Sequence, residues 1–283
     1  MSLIIDVHVH ICPPEIRRDR AAYLQGEPEF AAIYQYPEAR LVGASELIAA
    51  MDEQGVTRSV VFGFPWRKTE NFVLNNDYVL EAAGRFPRRL IPFCCLDAAH
   101  PQASRELERC LARGARGLGE LAFYAQGLDE NALRVLAPLA ERCHSAGIPA
   151  LLHTNEPVGH RYPGKSPMNL AQIYELLRSF PQTKWILAHG GGGLPFFGFL
   201  KKEIREVLAN CWFDTAAFPF LYRPEVLPVL ARAVGFEKLL FGSDFPLLPP
   251  SRYRRDFERS GLSDSELQGL FGQNAAALLS LED

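Results

Sequence analysis

Apolar and polar positions fall into alternating blocks along this chain. It opens on an apolar run, residues 3–11, rich in the valine and isoleucine that favour a buried extended strand. Seven more apolar runs follow, at residues 59–64, 90–96, 115–123, 149–153, 185–189, 211–217 and 239–245. Stretches with helical spacing separate them: residues 46–54, 71–86, 102–113, 130–146, 169–180, 195–209, 224–234 and, last, 263–281. In the fifth of these, Leu170, Ile173, Leu176, Leu177 and Phe180 share one face. Ser45 reads as the N-cap of the first helix, with Gly55 and Gly147 as C-terminal stops. Pro138 is expected to kink the helix it interrupts. Asp264 and Glu266 suit the positive end of the closing helix.

Eight strand-then-helix units without a composition break imply an α/β fold, a parallel sheet with helices outside. The number eight predicts a closed (β/α)8 TIM barrel, forming one domain over residues 1–283. Residues 12–42 break the rhythm with Pro13-Pro14, a charged cluster at 17–20, and Tyr23, Phe30, Tyr34 and Tyr36. So long a segment is functional or disordered, and its aromatics predict an ordered, lid-like insertion after strand one. An open doubly wound sheet would call for a glycine fingerprint after the first strand, which is missing. Gly190 to Gly193 lacks the Lys-Ser/Thr of a phosphate loop and reads as room for backbone near a site.

Composition narrows the partners. A formal charge of -3 argues against nucleic acid or an anionic membrane, leaving a small-molecule substrate. No apolar run approaches the roughly 20 residues of a membrane span. With no basic leader before the first strand, a cytoplasmic location is expected. Six cysteines without a C-x-x-C suit buried free thiols, and Cys12, following the first strand, borders whatever that strand presents.

The first strand presents His8 and His10, on one face and about 7 Å apart along the backbone. Two buried imbidazoles are costly without partners, and a metal ion is the natural one. In such barrels the active site lies at the C-terminal strand ends. There fall His8 and His10, Glu120 on strand four, His153 on strand five, His189 on strand six and Asp244 on strand eight. Four of the seven histidines are in this set, and every member can ligate a metal or move a proton.

This set, with Gly242-Ser243-Asp244-Phe245-Pro246 and the closing Gly272-Gln273-Asn274-Ala275, resembles the amidohydrolase superfamily. Within it, the sequence is similar to the amidohydrolase-2 branch, which includes aminocarboxymuconate-semialdehyde decarboxylase. The likeness runs from His8 to Leu279 and implies a TIM barrel of the metal-dependent hydrolase type. It implies that His8, His10, His153 and Asp244 bind a divalent metal, most often zinc, as one ion or two, with His189 beside it. An open position among such ligands suits catalytic zinc. It further implies Asp244 as the base and then acid that handles the proton of an activated water, with His189 stabilising an oxyanion. A homodimer is compatible with the branch. Glu120 departs from the carboxylated lysine of many binuclear members. Its Gly-Glu setting resembles the TatD-like deoxyribonucleases, where the glutamate bridges two metals. Glu120 therefore tips the expectation toward hydrolysis of a small-molecule ester, lactone or amide. The alternative is a non-oxidative decarboxylase or hydratase of an unsaturated or aromatic carboxylic acid on the same site. The loop of residues 154–168 offers His160, Arg161, Tyr162 and Lys165 as a substrate clamp. Asp214 is expected to bond substrate or a metal ligand. Trp66 and Arg67 are further pocket candidates, whereas His100 and His144 fall on the helix side.

Overall fold

The computed structural model describes residues 3–281. Its strands are β1 (Ile5–His10), β2 (Arg58–Phe62), β3 (Leu90–Pro92), β4 (Leu118–Leu121), β5 (Pro149–Leu152), β6 (Lys184–Leu187), β7 (Cys211–Asp214) and β8 (Leu239–Leu240). All pair in parallel and in chain order, as two ladders, β1 to β3 and β4 to β8. Two seams join the ladders. At one, Arg116 N–H donates to Pro92 O at 2.8 Å and Cys94 N–H to Gly117 O at 2.9 Å. At the other, Val7 N–H donates to Phe241 O at 2.8 Å and His10 N–H to Phe245 O at 2.9 Å. With both seams bonded the sheet closes into the expected (β/α)8 barrel, which leaves no open edge.

A register shift in β1 aims the histidines. It falls between Asp6 and Val9 and changes which residues point inward. Ile5 and Val7 belong to an inner cluster with Val60, Phe62, Ile91, Phe93, Leu151, Ile186 and Leu240. Val9 and Ile11 belong instead to the layer between strands and helices. The rings of His8 and His10 both rest on Phe62, at centroid distances of 5.2 and 4.8 Å. Phe62 is fully buried beneath them, a burial that contributes about 1.5–3 kcal/mol.

Several elements differ from the pattern-based expectation. The run at 185–189 stops being a strand at Leu187, because His189 adopts a left-handed φ of 56° and Gly190 to Gly193 all have positive φ. A Cβ on Gly192 would come within 2.5 Å of the Asn155 carbonyl, so only glycine lets this turn close against the β5 loop. The helix expected at 195–209 splits into a 3-10 turn, Leu194–Phe199, and a helix, Lys202–Val207. The closing helix is likewise split, into Asp264–Gln268, a π turn at Gly269–Gln273 and Asn274–Leu278. The first barrel helix begins at Ala44, and Gly43, not Ser45, is its cap; the Glu46 carboxylate accepts the Gly43 N–H at 2.8 Å. Gly55 and Gly147 close their helices in left-handed conformations as expected. Glu130–Ala146 passes through Pro138 as one element.

The insertion after β1 is built of short helices, Pro14–Arg18, Arg20–Tyr23 and Pro28–Tyr34. Glu27 fastens it to the barrel. Its buried carboxylate accepts the Arg67 and Lys68 N–H groups at 2.8 and 2.9 Å and the Asn71 side-chain amide at 2.8 Å. These donors stand at the start of helix Thr69–Arg85, where a negative charge is favoured. Trp66 lies under the insertion, 4.2 Å from the Phe30 ring, with its indole N–H on Asn75 Oδ1. It is fully buried. Arg67 pairs with Glu29.

Candidate metal centre

Four imidazoles meet at the C-terminal ends of β1, β5 and β6, and each has one nitrogen tied back to the protein. His8 Nδ1 bonds Asp214 Oδ2 at 2.9 Å. His10 Nδ1 bonds Gly63 O, His153 Nε2 bonds Gly164 O and His189 Nδ1 bonds Ala216 O, all at 3.0 Å. A carbonyl only accepts, so each of those three nitrogens carries a proton. The remaining nitrogen of every ring faces the same space and is the one a metal would take, the arrangement that outer partners impose on metal-binding histidines.

Two carboxylates complete the set. Glu120 Oε1 lies 3.0 Å from His153 Nδ1, 3.6 Å from His8 Nε2 and 3.7 Å from His189 Nε2, while its Oε2 is 3.7 Å from His10 Nε2. Asp244 Oδ1 is 3.4 Å from His10 Nε2 and 3.7 Å from His8 Nε2. Among the described residues, ligand atoms close enough to share an ion occur in three groups: His8, His189 and Asp244; His8, His10 and Glu120; Glu120, His153 and His189. His8 Nε2 is the decisive atom. It is buried without a hydrogen-bond partner, a costly state for an imidazole nitrogen and one that a cation relieves. The donor set therefore fits a divalent metal.

Asp244 is held in place from behind. It has a left-handed φ of 59°, a conformation costing about 1–3 kcal/mol outside glycine unless the surroundings impose it. Asp6 supplies the restraint: its carboxylate accepts the Ser243 N–H at 2.9 Å and the Ser243 hydroxyl at 2.5 Å. Ser243 Oγ in turn accepts the Phe245 N–H, and Tyr253 donates to Ser243 O at 2.6 Å. Gly242 leaves the room: a Cβ there would lie 2.9 Å from His8 Cβ and 3.2 Å from Asp214 Cβ.

Charge is balanced inside this buried cluster. In the metal-free protein, burial works against a proton on His8, but Asp214 and Glu120 more than reverse it and push its pKa up to about 10. Burial raises Glu120, yet the neighbouring His8 and His153 hold it at about 2. Asp244 is opposed by burial but kept well below the usual carboxylate range by the hydrogen bond and charge of His10 and by His8. His189 is pulled down, by burial and then by His153.

The structure thus brings His8, His10, Glu120, His153, His189 and Asp244 together. Other expected residues stand elsewhere. Asp214, expected to bond substrate or a metal ligand, does the second: it is fully buried behind His8, and its second oxygen accepts the His189 and Ala216 N–H groups at 2.9 and 3.0 Å. His189 has its proton on the nitrogen facing Ala216, so in this tautomer it has no hydrogen to offer an oxyanion. In the expected clamp, Lys165 and Tyr162 both bond Glu156, and His160 is exposed beside the Tyr162 ring. His100 packs on Phe72 and bonds Thr69, and His144 is exposed. Sequence reasoning gave no role to Asp6 or Ser243, although an aspartate inside an apolar strand must be partnered. It also passed over Phe64 and Tyr124. Tyr124 lies 5.0 Å from the His153 ring and is nearly parallel to Phe64, whose ring is 5.9 Å from that of Tyr34.

Residues 5–281 match the amidohydrolase family Amidohydro_2. The chain belongs to this family. A 2-amino-3-carboxymuconate-6-semialdehyde decarboxylase of Dictyostelium discoideum is 25% identical over 268 residues, covering 80% of this chain and 72% of that protein. A 2-keto-4-carboxy-3-hexenedioate hydratase of Sphingobium sp. is 23% identical over 302 residues, covering 86% and 83%. Among solved structures, a dihydroxybenzoic acid decarboxylase from Polaromonas sp. JS666, with bound manganese and the inhibitor 2-nitroresorcinol, superposes with a TM-score of 0.73 at 18% identity. That match covers 99% of this chain and 98% of that one. These relatives decarboxylate or hydrate, which overturns the expectation of hydrolysis. That expectation rested on Glu120, and the geometry shows why it was weak. Glu120 sits between all four imidazoles, a position that says nothing about which substrate bond breaks.

Proposed function

We propose that this protein is a divalent-metal-dependent, non-oxidative decarboxylase of an aromatic or unsaturated carboxylic acid. The observation that carries the reading is the inward-facing set of four imidazole nitrogens and two carboxylates beside the aromatic side chains of Tyr34, Phe64 and Tyr124. His8, His10, His153, His189 and Asp244 would hold the ion, with Glu120 shared among the histidines. Four imidazoles favour zinc over manganese. Bound there, the metal supplies a Lewis acid for the substrate's oxygen atoms and for the charge left as CO2 departs.

The chain's own residues do the rest. Decarboxylation breaks a carbon–carbon bond, leaves the electron pair on carbon and replaces CO2 with a proton, so no oxidant is needed. Asp244 has the more open side chain of the two carboxylates, 17% against 3% for Glu120. It is ionised in the cluster and can take a proton and hand it to the carbon that CO2 vacates. Tyr34, Phe64 and Tyr124 give a planar substrate flat surfaces and keep water from the reacting carbon. In this reading residues 12–42 serve as a lid within a single domain. Six free buried cysteines suit a reducing, cytoplasmic setting. Among the described residues no helix is long and apolar enough to cross a membrane.

The test reconstitutes the protein separately with zinc and manganese and offers a panel of hydroxybenzoic and unsaturated acids. CO2 release is expected with at least one acid, and its loss in Asp244→Asn. Addition of water to an unsaturated acid without CO2 release would replace decarboxylation by hydration. Failure to bind either metal would overturn the reading.

A further inference from the structure

Lys165 has the composition of a substrate clamp, yet its charge is fully engaged. Its ammonium donates to Glu156 Oε1 at 2.5 Å, to Val158 O at 2.9 Å and to His160 O at 3.3 Å. An ammonium has three hydrogens, and these acceptors account for all of them. The side chain is only 10% exposed, and Glu156 uses its other oxygen to accept the Tyr162 hydroxyl at 2.8 Å. The β5 loop is therefore wound around Lys165. One residue outside this tie, Asn155 and Ser166 form a second rung: Asn155 Oδ1 accepts the Ser166 N–H at 2.9 Å, and its amide donates to Ser166 O at 3.3 Å.

Gly164 lies next to Lys165, and its carbonyl accepts from His153 Nε2. That bond keeps a proton on Nε2 and turns Nδ1 toward Glu120 and His189, at 3.0 and 3.2 Å, as the nitrogen that would give up its own proton to a metal. We propose that Lys165 and Glu156 are positioning residues for His153. By fixing the loop around one buried ammonium they hold the Gly164 carbonyl that sets the His153 tautomer. Metal uptake and order in the loop of residues 157–165 are then coupled. Linkage makes the coupling reciprocal: whatever factor the loop tie adds to metal affinity, bound metal adds to loop order. The inference rests on His153 being a metal ligand, as proposed above.

The experiment compares the full chain with Lys165→Met, Glu156→Gln and Lys165→Arg. Three quantities are read: zinc affinity by chelator competition, hydrogen exchange of the 157–165 amides with and without zinc, and the His153 tautomer by nitrogen NMR of the zinc-bound protein. Outer partners of metal-bound histidines are worth 10–100-fold in affinity, so one bond further out the expected loss is about tenfold in Lys165→Met. Glu156→Gln should shift affinity in the same direction, and Lys165→Arg should recover part of it. Zinc should slow exchange of the loop amides in the wild type and not in Lys165→Met, whose His153 should show a mixture of tautomers. Unchanged zinc affinity and tautomer, with weakened binding of an aromatic carboxylate, would overturn the proposal and make Lys165 a substrate contact. Should Lys165→Met not fold, the near-isosteric Glu156→Gln decides alone. A wild type that binds no zinc or manganese refutes the metal reading instead, so the two failures are distinguishable.

Discussion

Replacing Asp214 by asparagine isolates the role of the outer partner of His8. Oδ1 of Asp214 accepts two backbone N–H groups, from His189 and Ala216, and an asparagine oxygen retains both. The changed atom is Oδ2, 2.9 Å from His8 Nδ1. An amide there presents hydrogens, so the ring accepts at Nδ1 and keeps its one proton on Nε2. In the wild type Nδ1–H stays on Asp214 while a metal displaces the Nε2 proton, whereas in the variant baring Nε2 means breaking the new bond. Losing a carboxylate behind a ligating histidine costs about 10–100-fold in metal affinity, equivalent to about 1.4–2.8 kcal/mol. The assay is zinc competition against a chromophoric chelator, paired with urea unfolding of the metal-free protein. Affinity should drop by that factor, and metal-free stability should fall as well below about pH 10, where Asp214 supports the proton on His8; urea unfolding therefore sets conditions in which both proteins are folded before affinity is read. Unchanged affinity of the folded variant would refute the tautomer argument.

Other predictions follow from the same atoms. In the metal-free protein the His8 pKa is raised from 6.5 to about 10, so its stabilising contribution is full below pH 6.5 and is lost as pH rises through about 10. Metal uptake must displace that proton, and apparent affinity should climb by up to about tenfold per pH unit in this window, measured by titration at several pH values. Glu27→Gln puts an amide hydrogen against N–H donors that a carboxylate now satisfies, and should cost about 2–4 kcal/mol in urea unfolding; a change under 0.5 kcal/mol would show that the insertion is not fastened there. Gly242→Ala drives a methyl against His8 and Asp214, and should cost about 1–3 kcal/mol together with metal affinity. Parallel melting and metal titration would check both losses.

The alternation of apolar runs with helical spacing was enough to read eight β/α units and hence the barrel, because burial on both faces of a parallel strand writes itself into composition. Placing His8, His10, Glu120, His153, His189 and Asp244 at strand ends was also legible, since one rule puts such ends at a common mouth. Tertiary structure decided what those residues face. A single register shift in β1 turned both histidines inward, and no local pattern announces a shift that arises in pairing with β2. Asp6 restrains Asp244 across 237 residues through Ser243, a contact that exists only once β8 closes on β1. Lys165 looked like a free cation because a sequence shows a charge but not the three acceptors that a folded loop wraps around it. The sequence by itself determined which chemical groups gather in this barrel; which nitrogen of each ring is left bare is decided by backbone carbonyls and carboxylates that only the closed fold brings within 3 Å.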